Sequence, residues 1–439
     1  MNDKVKIIYM AHSCLLIEIN GIRLLTDPWL VGPCWAGNLW IYPPPRTKPA
    51  DIESIDYIYI SHAHEDHLHS ETLSAIKDEV KKSAITIVPD FKKPYFYKSL
   101  VANGLNNITF INHFESKKIN SNISFTMINN DLGDDDSSLL IETNEGNIFL
   151  QTDNLMSVEL AKEIRNKYII DIAFIMTTRT GVFPGFYQFK PSILKRLEND
   201  KSNMSYEIAK NIIESLDAKY IVPYASDICY LGELFYMNSF HMKSKLLFQK
   251  FMKESNKNVN VILMGPSDTL RLKEREVKLI NSSNHDFSAD DISTYAYMNR
   301  KNVMSYEMKE RKYCELNIVE DIELFINKFN EAINSWHSKR FRVLWIIDSI
   351  KLGKINLYQS LPDKMQKINS DKNIDNDLSI YMPAYRLERL VRGDYKMGIV
   401  TLWNGSMYCS RNEEQITNLE RYFWEWCINH SKFNVKLSH

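Results

Sequence analysis

The sequence predicts an α/β fold, two β-sheets packed face to face under helices, continued by a smaller α+β extension. Two observations carry this. Up to about residue 264, short apolar β-branched segments run first as a meander and then alternate with stretches of helical spacing. Beyond about residue 275 the pattern changes to charged helical segments and a second, shorter set of strands.

Residues 5–10 and 14–19 are apolar segments split by a short polar step, and Asn20-Gly21 is a hairpin signal before a third strand at 22–25. Thr26-Asp27-Pro28 ends that strand. A loop rich in Trp, Gly and Pro follows, in which Pro43-Pro44-Pro45 excludes regular structure. Residues 55–60 form the next strand. Helical spacing covers 70–82, and 84–88 is a strand ending at Pro89. Further strands are expected at 108–111, 123–128, 139–142 and 148–150, the last two joined by a turn at 144–147. A helix at 158–167, a strand at 169–176, a helix at 205–216 and strands at 220–222 and 259–264 complete this unit. Farther on, 341–347 and 355–359 are expected to pair, 364–377 to be a surface loop, 383–392 a helix, 395–403 a strand and 413–428 an aromatic-rich helix. The expected organisation is a catalytic domain over 1–275, a linking helical region over 276–315, and an α+β extension over 316–439 that packs on the catalytic domain. The aromatic density of Tyr422, Phe423, Trp424 and Trp426 suits docking better than exposure.

The composition, 44% hydrophobic and 25% charged over 439 residues, is that of a soluble globular protein. A net charge of −1 offers no global field for nucleic acid or anionic membrane. No stretch approaches the ~20 apolar residues of a membrane span. The polar start lacks the shape of a signal peptide, and the six cysteines are scattered without a C-x-x-C pair, so a reducing cytoplasm is expected.

The chemistry is concentrated after the strand at 55–60, in Ser61-His62-Ala63-His64-Glu65-Asp66-His67. Imidazole nitrogens suit zinc or iron, and a carboxylate adds an oxygen ligand. Alternation in an extended segment turns His62 and His64 toward one metal, and the following turn lets Asp66 and His67 serve a second. A solvated, His-rich loop is the plain alternative.

This H-x-H-x-D-H run resembles the metallo-β-lactamase fold superfamily, and so implies an αββα four-layer sandwich with its metals at the sheet edge. Further segments resemble one branch, that of the catalytic domain of CMP-N-acetylneuraminate monooxygenase and its bacterial relatives. They are residues 25–33 with Trp40 and the prolines, 136–142 leading to Gln151-Thr152-Asp153-Asn154, 171–174, 181–186, 220–225, and 386–426. That monooxygenase carries a Rieske iron–sulfur domain, which needs paired Cys and His steps. Here there is no C-x-H, and Cys427-Ile428-Asn429-His430 reads as a buried Cys and a helix-end His. Oxygenase chemistry would then draw electrons from a separate ferredoxin or reductase.

The resemblance also places a bridging carboxylate at Asp153, for which a helix N-cap is the alternative. Hydrolases of the fold supply a further His before it. In this interval only His69 and His113 occur, and His113 comes too early. Asp131, Asp134, Asp135 and Asp136 stand there instead, as ligands or as a solvated acidic turn. A last ligand is expected after the strand at 220–222, with Asp227 favoured over His241. Carboxylates in place of imidazoles shift preference from zinc toward iron or manganese. His12 could reach the metals, though a satisfied core histidine is the readier reading. Glu65 is expected to face solvent. Trp29, Trp35, Trp40 and Tyr42 could line a substrate mouth or cover the core, and Arg179 and Lys190 could meet an anionic group.

The expected function is a di-iron oxygenase, with dioxygen as co-substrate and Asp66 at the catalytic centre, that hydroxylates a small-molecule substrate. The alternative is a dinuclear zinc hydrolase, in which the metals acidify a water. A non-catalytic protein on a decayed site is the third reading.

Overall fold

The structure, a computed structural model, describes residues 5–35, 37–133, 135–178, 184–185, 189–241, 245–255, 259–281, 289–311, 315–332, 341–361, 363–368, 375–376, 378–391 and 408–410. Two large sheets dominate it. The first runs in the order Glu276–Asn281, Thr269–Lys273, Val5–Ala11, Cys14–Ile19, Ile22–Thr26, Tyr57–Tyr59, Ile85–Pro89, Ile108–Ile111. The second runs Asn260–Val261, Tyr220–Tyr224, Ile172–Met176, Gly146–Leu150, Ser137–Thr143, Ile123–Asn129, Ser116–Asn120.

Strand alternation explains why these two sheets face each other. Phe125, Met127, Leu139, Ile141, Ile148 and Leu150 of the second sheet point inward onto Ile7, Tyr9, Leu15 and Ile17 of the first. Their neighbours Ile128, Leu140 and Phe149 point outward, under the helices Val158–Lys167, Pro191–Leu216 and Lys245–Ser255. The outer face of the first sheet is covered by Ser70–Ala75, Asp78–Ser83, Pro94–Ala102 and the tryptophan loop. The result is the αββα four-layer sandwich.

Local chemistry sets the boundaries. Asn20 and Gly21 take φ of 50° and 90°, the left-handed pair that a two-residue hairpin turn requires. Ser157 caps the helix Val158–Lys167 by accepting from Leu160 N at 3.0 Å. The helix expected at 70–82 is two short helices, because Ile76 is extended between them. The helix expected at 205–216 begins at Pro191, whose fixed φ opens a helix, and spans 26 residues. Its polar first half hid that start. The strand expected at 259–264 is only Asn260–Val261. Instead Thr269–Lys273 and Glu276–Asn281 return the chain to the first sheet.

A two-stranded ribbon, Leu39–Ile41 with Ile228–Tyr230, carries Trp40 and Tyr42 against Ile292 and Val303 of the helix Ala289–Glu310. A separate five-stranded sheet follows, in the order Gln366–Ile368, Gly353–Leu361, Phe341–Ser349, Leu378–Pro383, Tyr408–Ser410. The helix Ile318–Ala332 packs on it through Phe325, edge-on to Trp345 at 5.3 Å between ring centroids. The strand expected at 395–403, the aromatic helix at 413–428, and Cys427 and His430 lie outside the described residues. Among the described residues no helix is long and apolar enough to cross a membrane.

Candidate metal centre

The site forms where parallel strands of both sheets end. Tyr57–Tyr59 lies parallel between Ile22–Thr26 and Ile85–Pro89, and its continuation delivers the histidine run. Gly146–Leu150 lies parallel to Ile172–Met176, and the turn after it delivers Asp153. Carboxyl ends of parallel strands leave no partner for the chain that follows them, so side chains can converge there.

Two groups of ligand atoms result. Those of His62, His64 and Asp153 lie within 4.8 Å of one another, as do those of His12, Asp66 and His67. Asp153 joins the groups, its Oδ2 being 3.4 Å from His67 Nε2. Asp136 lies beside the first group, with Oδ1 3.5 Å from His62 Nε2.

Asp27 organises the histidines from beneath. Its Oδ1 accepts from Ser61 N at 2.8 Å and its Oδ2 from Ser61 Oγ at 2.7 Å. Oδ2 also takes the Nδ1–H of His67 at 2.9 Å, since a carboxylate can only accept. The Ser61 hydroxyl has spent its proton on Asp27, so at 2.9 Å it accepts from His62 Nδ1. Both rings therefore turn Nε2 toward the cluster. Sequence reasoning saw Asp27 only as the end of a strand, but an Asp-Pro step after a buried strand was the available signal.

The charges agree with cation binding. Burial, and next the neighbouring His67, lower the His62 imidazole to about 4, so it is neutral at neutral pH and its Nε2 accepts from His64 Nδ1 at 2.7 Å. Burial alone would depress His67, but Asp153, Asp27 and Asp66 around it hold its pKa well above the ordinary value. Burial would raise Asp66. The adjacent His67 and His12 outweigh it and keep the carboxyl well below the usual range. Asp66 Oδ1, His67 Nε2 and Asp153 Oδ1 are buried without a hydrogen-bond partner. Orphaned atoms of this kind are costly unless something else satisfies them. A divalent cation does so, and the mixed imidazole and carboxylate donors fit it.

The remaining expected site residues are dispersed. Asp131 accepts from the backbone N–H and hydroxyl of Ser157 at the head of a helix. Asp135 takes Lys93 Nζ at 2.6 Å and Tyr95 Oη at 2.7 Å at the surface. Asp134 lies outside the described residues, as does Arg179. Asp227 belongs to neither ligand group, contrary to expectation. Its Oδ2 accepts from Tyr9 Oη and from His12 N, and its Oδ1 pairs with Lys245 Nζ at 2.6 Å. These partners occupy both oxygens of the carboxylate. His241 closes the short helix Asn238–His241.

Trp29, Trp35, Trp40 and Tyr42 are buried and so cover the core. Trp35 also stands edge-on to His64 with 5.2 Å between centroids. Glu65 is exposed, yet its carboxylate accepts from Trp35 N and so pins that loop over the site.

Residues 6–161 match the family described as a beta-lactamase superfamily domain. Over 278 residues the chain is 21% identical to cytidine monophosphate-N-acetylneuraminic acid hydroxylase of Xenopus laevis, a match covering 61% of this chain and 44% of that protein. The chain thus spans less than half the length of this relative. Two solved structures are similar to part of the chain. CmlA, a diiron beta-hydroxylase from Streptomyces venezuelae, is 17% identical over 62% of this chain and 55% of its own, at a TM-score of 0.44. An isothiocyanate hydrolase from Delia radicum gut bacteria is 12% identical over 61% of this chain and 99% of its own, at a TM-score of 0.46.

Proposed function

We propose that this protein is a di-iron oxygenase that hydroxylates a small molecule, with electrons from a donor outside these residues. The observation that carries this reading is Asp136. A carboxylate stands beside His62 at the place where hydrolases of the fold supply a further imidazole. His62, His64, Asp136 and Asp153 would hold one ion, and Asp66, His67 and Asp153 the other. Oxygen-rich ligation stabilises the higher charge states of iron, whereas zinc has no redox chemistry to gain from it. The hydroxylase relative supports the same direction.

When bound, the iron pair supplies the redox chemistry that activates dioxygen. The balance is one substrate C–H or N–H, one dioxygen, two electrons and two protons, giving one hydroxyl group and one water. The chain's own part is to orient and exclude. Asp27 and Ser61 fix the imidazoles, Asp153 spans the two groups, and the tryptophan loop keeps water from the buried side.

The experiment is to purify the protein without added metal, quantify iron and zinc, then reduce it and follow oxygen uptake with candidate substrates. Iron near two equivalents and substrate-dependent uptake are expected. A zinc-filled protein that hydrolyses an ester, phosphodiester or amide without oxygen would overturn the reading in favour of a metallohydrolase.

A further inference from the structure

His12 has no role in the ligand set above. It occupies the two-residue turn between Val5–Ala11 and Cys14–Ile19, where Ala11 pairs with Cys14. Where only the first residue of such a turn takes positive φ, that position favours glycine. His12 takes φ of 49°, an uncommon conformation for its type. The surroundings over-determine it. Its N–H donates to Asp227 Oδ2 at 3.2 Å, and its carbonyl accepts from Tyr9 Oη at 3.0 Å and from Ala225 N at 3.2 Å. Asp227 is in turn fixed by Lys245. A backbone held this firmly in a sparsely populated region points to a function for the side chain.

The ring is 3% exposed, wedged edge-on against Trp29 at 5.3 Å and His67 at 5.7 Å between centroids. Neither ring nitrogen has a hydrogen-bond partner. A core histidine would satisfy at least one of them. Nε2 instead lies 3.5 Å from Asp66 Oδ2, at the outer limit of contact, with the ligand atoms of Asp66 and His67 converging on it.

We infer that His12 is the third terminal ligand of the second metal, filling the place expected for Asp227. With Asp153 shared, each ion then has two imidazoles and two carboxylates: His62, His64, Asp136 and Asp153 for one, His12, His67, Asp66 and Asp153 for the other. This rests on the two-metal reading of the site.

The test uses cobalt(II) as the probe in the wild-type protein and in His12→Asn, a variant that tolerates positive φ and keeps the turn. Wild type is expected to bind two cobalt ions and to show four strongly shifted, exchangeable imidazole N–H proton resonances. In His12→Asn one ion should bind tenfold or more weakly and one resonance should vanish. Two ions with three such resonances in wild type, or wild-type affinity for both ions in the variant, would overturn the assignment of His12 while leaving the two-metal site intact. Fewer than two ions in wild type would overturn the two-metal reading and this inference together.

Discussion

Asp27 Oδ2 and His67 Nδ1 are 2.9 Å apart, and both side chains are fully buried. The pair links the end of one strand to the fourth residue of the metal-binding run. It fixes which nitrogen of His67 faces the cluster, and through Ser61 it does the same for His62. A residue with no ligand role thus orients one ligand in each group.

Asp27→Asn should therefore weaken metal binding without removing a ligand. The amide can keep one contact with His67 but carries no charge, and its NH₂ group competes with the Ser61 donors. The expected loss is about 10–100-fold in affinity for the ion at Asp66 and His67. Metal titration with a competing chelator measures it. Unchanged affinity for both ions would remove Asp27 from its orienting role.

His64→Ala should remove most bound metal and all activity. His64 belongs to the first group with His62 and Asp153, and no other described histidine stands within that group to replace it. Elemental analysis of the purified variant is the measurement, and full occupancy would defeat the assignment of His64 as a ligand.

The histidine run was legible because it is local: one strand, one turn and one spacing place four donors. The two sheets were legible for the same reason, since period-two alternation is written into each strand. The long-range partners were not. Asp227 sits at a sequence position suited to a ligand, but Tyr9 and Lys245, 218 and 18 residues away, decide where its carboxylate points. His12 read as a core histidine because nothing in the sequence shows that its ring nitrogens lack partners. Within the acidic run the sequence offered four equivalent aspartates, and only packing against Ser157, Lys93, Tyr95 or His62 distinguishes those that are described.

That distinction gives a prediction within a six-residue segment. Asp136→Asn should lower metal affinity, because its carboxylate is buried beside His62. Asp135→Asn should leave metal content unchanged, since its partners are Lys93 and Tyr95 at the surface. Asp131→Ala should also retain metal but lose about 1 kcal/mol of stability in urea unfolding, through the lost contacts to Ser157. Equal metal loss in all three variants would mean the segment acts only through its net charge.

Metal binding should also be visible in stability. Asp66 Oδ1, His67 Nε2 and Asp153 Oδ1 are orphaned in the folded chain and have no equivalent arrangement when unfolded. A cation that binds only the folded state stabilises it by about 2.7 kcal/mol at a free concentration of 100 times Kd. For a domain of ~250 residues, that corresponds to a rise in Tm of roughly 5–10 °C. Thermal unfolding of chelator-treated protein, with and without iron(II) under anaerobic conditions, measures the shift. It should shrink in His64→Ala and persist in Asp135→Asn. A Tm that does not respond to iron(II), manganese(II) or zinc(II) would mean that this cluster does not bind a metal.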